Sequence, residues 1–226
     1  LIHVVAGALT DAAGRVLIAQ RPPGKHLAGG WEFPGGKLES GEARVAGLAR
    51  ELWEELGISI GAPRPLMRLR HAYDFGDVLI DMWVVTRYDR EPRGMDGQAL
   101  RWCGPDELAS VELLPADAPI VRALRLPDQL RAADSPYYQV LEKPLFSEAA
   151  DSGARRRLRG LWCSSTPEGL SIGQRAAPDF LVMRDELPAD DLVVLCEALT
   201  IPVYVCGLEL EAAWALGASG ISTIGR

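Results

Sequence analysis

Residues 36–58 constrain this chain more than any other stretch. They read Gly36, five residues, Glu42, seven residues, then Arg50-Glu51-Leu52-Trp53-Glu54-Glu55-Leu56-Gly57-Ile58. Val45, Leu48, Ala49, Leu52 and Leu56 recur at helical spacing and predict a helix over 43–56 with one buried stripe. Gly57 ends it. Glu51, Glu54 and Glu55 stand at i, i+3 and i+4, crowding one face beside the stripe. Like charges so placed destabilise a helix by roughly 0.2–0.5 kcal/mol per pair, and a divalent cation would reverse that sign. All-oxygen ligation suits Mg²⁺ or Mn²⁺ rather than zinc. Glu42 is half a helical rotation away from Glu51, so it joins the same site only from a loop, which Ser40-Gly41 allows. The plain alternative for the three glutamates is a solvated acidic face. The further Gly, Glu, Arg-Glu and Gly-Ile positions at fixed spacing argue against it.

This stretch resembles the Nudix box, Gly-x5-Glu-x7-Arg-Glu-(aliphatic)-x-Glu-Glu-x-Gly-(aliphatic), with every position matched. The resemblance implies a hydrolase of nucleoside diphosphates linked to another group, working with a divalent metal.

The chain has 226 residues, enough for one large domain or two small ones, with 48% hydrophobic and 24% charged residues, as in soluble globular proteins. A net charge of −7 argues against a protein that grips a nucleic-acid polymer, but not against a nucleotide, because bound cations invert the local field. Cys103, Cys163, Cys196 and Cys206 form no Cys-x-x-Cys pair and are expected to be reduced core residues of a cytoplasmic protein. No apolar run approaches the ~20 residues that span a bilayer. No signal peptide is read, although the chain begins at Leu1. The oligomeric expectation is a monomer.

Strands are expected over 2–10, 15–20, 66–74, 78–88 and 99–103, the third and fourth joined by a tight Phe75-Gly76-Asp77 turn. Helices are expected over 105–109, with Pro in the first turn, and 117–126. The loop Arg21-Pro22-Pro23-Gly24-Lys25-His26 is basic, which beside an acidic metal site suits a phosphate chain; alone it reads equally as a solvated loop. Trp31 and Phe33 alternate in a short strand before Gly35-Gly36, so one could stack on a base while the other enters the core.

Over residues 1–127 this order resembles the Nudix α/β/α sandwich with a mixed sheet. Within that family the likeness is to the MutT type, which hydrolyses 8-oxo-dGTP to the monophosphate and pyrophosphate. It is carried by Ala19-Gln20-Arg21, His26, Trp31 to Lys37, Asp96-Gly97-Gln98 and Leu114 to Pro119. The resemblance implies that Arg21, His26, Glu32, Phe33 and Asp117 face the nucleotide. It implies that the Gly35 carbonyl, Glu51, Glu54, Glu55 and Asp96 bind Mg²⁺, with Mn²⁺ as a substitute. It makes Glu51 the base that activates water, with Arg50 and Glu42 completing the catalytic set. Asp96 stands where the family has a Glu, Val78 where it often has an Arg, and Asp117 where it has a base-reading Asn. An ionised Asp offers acceptors only, which suits guanine's N1–H and amino group, and one oxygen suits cytosine's amino group. Asp117 could instead cap the following helix.

Residues 128–135 are polar with prolines on either side and read as a linker. From 136 onward short apolar runs (158–164, 180–183, 202–206 and 220–224) alternate with helical patterns at 192–199 and 208–216, the sign of a parallel sheet. The run Arg155-Arg156-Arg157-Leu158-Arg159 reads as a solvated connector. Pro202 to Gly207 and Ala215 to Ile221 resemble the last strands of a thiamine-phosphate-synthase or TenI-like barrel, a domain known fused behind Nudix domains. A full (β/α)₈ barrel typically needs ~250 residues, so 136–226 is expected to be a reduced, non-catalytic partial barrel or open α/β layer. The leading expectation is a Mg²⁺-dependent hydrolase of nucleoside triphosphates such as 8-oxo-dGTP that cleans the nucleotide pool. Hydrolysis of (d)CTP-type or other nucleoside diphosphate derivatives, and a nucleotide-binding sensor or scaffold, are the rivals.

Overall fold

A computed structural model describes residues 1–108, 110–133, 135–136, 138–141, 157–166, 169–171, 178–184 and 186–224. The chain divides into two units, Leu1–Val121 and Arg122–Arg226.

In the first unit β1 (Ile2–Leu9) lies between β4 (Gly35–Lys37), antiparallel, and β6 (Gly76–Val85), parallel. β5 (Arg64–Tyr73) forms an antiparallel hairpin with β6, giving the mixed order β4-β1-β6-β5. A second, antiparallel sheet has the order β3 (Trp31–Glu32), β2 (Val16–Gln20), β7 (Leu100–Cys103). The helices are α1 (Arg44–Leu56), α2 (Pro105–Leu108) and α3 (Ala118–Ala123). The expected end of the second helix, Ala109, lies outside the described residues.

Alternation along β1 decides what each face of its sheet carries. Val5 and Leu9 pack with Val85 against Leu48, Leu52 and Leu56 of α1. Ile2, Val4 and Ala6, with Val78 and Ile80 of β6, line a cavity on the other face. The predicted α1 is therefore present, ended by Gly57 in the left-handed conformation (φ 67°), whose N–H reaches the Trp53 carbonyl at 2.9 Å. Its stripe is shorter than expected. Val45 is 42% exposed, because the first turn meets polar groups instead, with Arg44 3.7 Å from the buried Asp81.

Among the described residues the second unit holds six strands, β8 (Gln129–Leu130), β9 (Tyr138–Leu141), β10 (Leu158–Cys163), β11 (Phe180–Met183), β12 (Val203–Val205) and β13 (Gly220–Ser222). All pair in parallel, in the order β8-β13-β12-β11-β10-β9. The sheet curls into an open half-barrel, the reduced barrel-like layer that the sequence implies. One face collects Tyr138, Val140, Leu158, Phe180, Val182 and Tyr204. The other packs Leu181, Met183, Val203 and Val205 against Leu192, Leu195 and Cys196 of α4 (Ala189–Ala198) and Ala213 of α5 (Leu210–Ala215). The stretch 128–135, expected to be a linker, contains β8, which pairs with β13. It was hidden because two residues among polar neighbours show no periodicity, and their partners are some 90 positions away. Arg155 and Arg156 of the basic run lie outside the described residues. The four cysteines are free.

Within that inner face the rings of Tyr138, Phe180 and Tyr204 stand edge to face, and Phe180 covers the bare backbone of Gly160. A Cβ at Gly160 would overlap the Phe180 ring. Gly160→Ala is expected to destabilise the second unit by about 1–3 kcal/mol, read from its urea midpoint, and Phe180→Leu in the same chain should recover part of the loss. An unchanged midpoint for Gly160→Ala would show that the ring does not lie on β10.

Candidate active site

Arg50 is the hub from which the acidic site is built. Its Nε and Nη2 donate to the two oxygens of Glu42, each at 2.9 Å. Nη1 donates to Glu51 at 2.8 Å and to Glu54 at 3.3 Å, and Nη2 also reaches the Lys37 carbonyl at 3.0 Å. Hydrogen bonds from Arg50 hold the Glu42 carboxyl below its ordinary range. Glu42 comes from the turn ahead of α1, where it also accepts the Glu39 N–H at 3.0 Å. That is the loop position its phase along the helix requires.

α1 lies against β4 so closely that a Cβ at Gly36 would overlap the Glu51 carboxylate. Only glycine permits this approach. One turn on, the Gly35 N–H donates to Glu55 Oε2 at 3.1 Å. Gly35, Glu51 and Glu55 thus share one wall of the cavity, whose volume is about 670 Å³. Glu54 is half exposed on the far side of Arg50. Asp96 stands in the 94–98 loop, which hangs from the end of α1: Met95 N–H and Gln98 Nε2 both donate to the Glu55 carbonyl at 2.9 Å. Glu54 and Asp96 are not on the cavity wall.

Among the described residues no three His, Cys, Asp or Glu side chains converge as a ready metal cage. Glu51 is turned to Arg50, and Glu55 to Gly35. The donors nonetheless fit a hard divalent cation, since they are carboxylates and a backbone carbonyl. The state of Glu55 adds to this. Burial pushes its carboxyl up to about 7, and the charges of Glu32 and Glu51 add to the rise. A cation beside it would remove that penalty.

The opposite end of the cavity is built for a planar group. Arg21, His26, Glu32, Phe33 and Asp117 all line it, so the residues expected around a nucleotide are brought together. Phe33 is buried and faces the cavity. Trp31 does not line it and bridges to Leu113 instead. Arg21 Nη1 pairs with Glu32 at 2.5 Å, and burial raises the Glu32 carboxyl against that pull. Asp117 ends a 3₁₀ turn, Pro115–Asp117, and is 6% exposed, with no hydrogen-bond partner for Oδ2 among the described residues. Burial, then Glu32, drives its carboxyl well above the usual range. That shift is toward the neutral acid, which offers one donor and one acceptor where the ionised form offers acceptors only.

Two aromatic residues of the cavity were not singled out from the sequence as site residues. Tyr73 and Phe75 stack at the β5–β6 turn (4.9 Å, 10°), and His26 meets Phe75 edge-on at 4.8 Å. The Tyr-x-Phe spacing before Gly76 was their signal. Lys25, from the basic loop, lines the cavity as well.

A family model described as the NUDIX domain matches residues 5–123. The chain is similar to a CTP pyrophosphohydrolase of Escherichia coli (strain K12), 36% identical over 134 residues, covering 59% of this chain and 98% of that protein. It is also similar to an 8-oxo-dGTP diphosphatase of Proteus vulgaris, 39% identical over 90 residues, covering 40% of this chain and 80% of that one. Among solved structures, a MutT NUDIX hydrolase from Burkholderia pseudomallei superposes with a TM-score of 0.50 at 25% identity, over 54% of this chain and 96% of the other. No helix of the described residues is long and apolar enough to cross a membrane.

Glu55 makes stability depend on pH in a definite direction. Its proton is held more tightly folded, at about 7, than at its ordinary 4.5, so its contribution is full below about pH 4.5 and lost as pH rises through about 7. In chelator, Glu55→Gln should match wild type in Tm near pH 4 and exceed it near about pH 8. Adding Mg²⁺ at the higher pH should raise wild type more than the variant. Parallel pH curves would show that Glu55 carries no such penalty.

Proposed function

The chain belongs to the NUDIX family of hydrolases, which act on nucleoside diphosphate derivatives, and on that premise we propose that it hydrolyses nucleoside triphosphates, 8-oxo-dGTP or CTP-like, to monophosphate and pyrophosphate with Mg²⁺. The observation that supports this most is one cavity with two unlike ends: the Glu51 and Glu55 carboxylates at one, and Phe33 with the unpartnered Asp117 at the other. Phe33 offers a face for the base, Asp117 reads its edge, and the phosphate chain runs toward α1.

Glu51, Glu55 and the Gly35 carbonyl on the cavity wall, with Glu54 and Asp96 from beyond it, would hold Mg²⁺, which would supply charge neutralisation at the phosphates. Glu51 takes a proton from water, whose oxygen forms a bond to phosphorus. The bridging P–O bond breaks and the nucleoside monophosphate leaves with the electron pair. Arg50 holds Glu51 in orientation through the 2.8 Å contact and ties it to Glu42. We assign no chemistry to the second unit, and specifically no thiamine-phosphate-synthase activity.

Base choice turns on Asp117. The neutral acid can donate to cytosine N3 while accepting from its amino group, and can equally meet guanine O6 and N1–H. Once ionised it accepts only, which keeps two partners on guanine and one on cytosine. The CTP pyrophosphohydrolase and 8-oxo-dGTP diphosphatase relatives accord with a site open to both edges.

Glu51→Gln should lower kcat roughly 10²–10⁴-fold while leaving Tm near wild type; near-normal turnover would remove Glu51 from the mechanism. Asp117→Asn should change the ratio of kcat/KM for guanine over cytosine nucleotides roughly tenfold. A ratio left unchanged by the substitution would take Asp117 out of base reading. Every proposed site residue lies before Val121, so a chain ending at Asp128 is expected to keep wild-type kcat if it remains folded. Folded, inactive protein would show that the second unit supplies part of the site.

A further inference from the structure

Lys25 faces the cavity but has no part in the chemistry above. Its backbone is fixed by sequence. Pro22 accepts the Lys25 N–H at 3.4 Å, Pro23 occupies the second position and Gly24 the third with φ 89°. That is a type II turn, in which proline presets one dihedral and glycine takes the left-handed one without strain. A turn held this way gives up little further freedom when a ligand arrives.

The ammonium is held far more loosely than the backbone. Nζ is 4.0 Å from Asp96 Oδ2, and both side chains are about half exposed (49% and 57%). Such a contact contributes little and is readily exchanged. Arg21, by contrast, is committed to Glu32 at 2.5 Å. Both cations pull down the Glu32 carboxyl, Arg21 the more strongly, while Lys25 also acts on Glu55 and Arg21 on Asp117. Lys25, on the cavity wall and within reach of Asp96, therefore stands on the Glu55 side, where the outer part of a phosphate chain would lie.

We propose that Lys25 is the residue that distinguishes triphosphates from monophosphates, its ammonium leaving Asp96 for the outer phosphates of the bound nucleotide. The proposal rests on the nucleotide reading of the same cavity. Lysine suits this role because it offers a compact, mobile point charge, and losing Asp96 to a divalent ion would free it without leaving either charge unpaired. The 94–98 loop is tied to the Glu55 carbonyl, so the exposed pair links the Lys25 turn to the end of α1.

Calorimetric titration of the full chain with dGMP and with a dGTP analogue carrying a methylene between the α and β phosphorus atoms tests this, in Mg²⁺ and in chelator. Lys25→Ala should weaken the triphosphate analogue roughly five- to tenfold and leave dGMP unchanged. Lys25→Arg should recover most of that loss. Gly24→Ala, which keeps the cation but strains its turn, should reproduce part of it. Equal weakening of both ligands, or none, overturns the assignment. Wild-type protein that binds neither ligand overturns it together with the nucleotide reading, so the two failures are told apart by the wild-type titration.

Discussion

The arrangement of this protein's first unit depends on one guanidinium. Arg50 gathers Glu42, Glu51 and Glu54 with the Lys37 carbonyl. Without it α1 would carry like charges at i, i+3 and i+4 with nothing to offset them. With it, the turn before α1, the strand before that turn and the helix itself are fixed to one point. The planar fork makes this possible, since two parallel bonds to Glu42 leave a third nitrogen position free for the helix face. Glu55 is the carboxylate that Arg50 does not reach. It is also the one that burial pushes up to about 7.

The sheet supplies the other constraint. Because side chains alternate along β1, Val5 and Leu9 bury α1 on one face while Ile2, Val4 and Ala6 shape the cavity on the other. α1 can reach the cavity only past the edge of the sheet. β4 provides that passage by presenting two glycines, one donating to Glu55 and one pressed against Glu51. The packing of a helix and the placing of carboxylates are one event here.

Function draws on stability at two buried acids. Glu55 and Asp117 are both shifted toward the neutral state for the same first reason, loss of water, and both lie in the wall of one cavity. Metal and base are the groups that would restore what burial removes. One cluster of the second unit contrasts with this, with the rings of Tyr138, Phe180 and Tyr204 edge to face, Phe180 over Gly160, and no acid among its buried residues.

The sequence alone determined α1, its stop at Gly57, the acidic face and the family, because these rest on short-range periodicity and on fixed spacing within 23 residues. It also marked β10, β11, β12 and β13, which announce themselves as apolar runs. Only the tertiary structure decided which of Trp31 and Phe33 enters the cavity, since alternation gives two faces but not which one is occupied. It placed Tyr73 and Phe75 from one turn and Lys25 from another at the same cavity, and it turned a polar linker into β8 through a partner some 90 residues on. The protonation of Asp117 belongs to this second group as well. An aspartate's type is written in the chain, but its charge is set by the water it loses, and that is known only once every neighbour is in place.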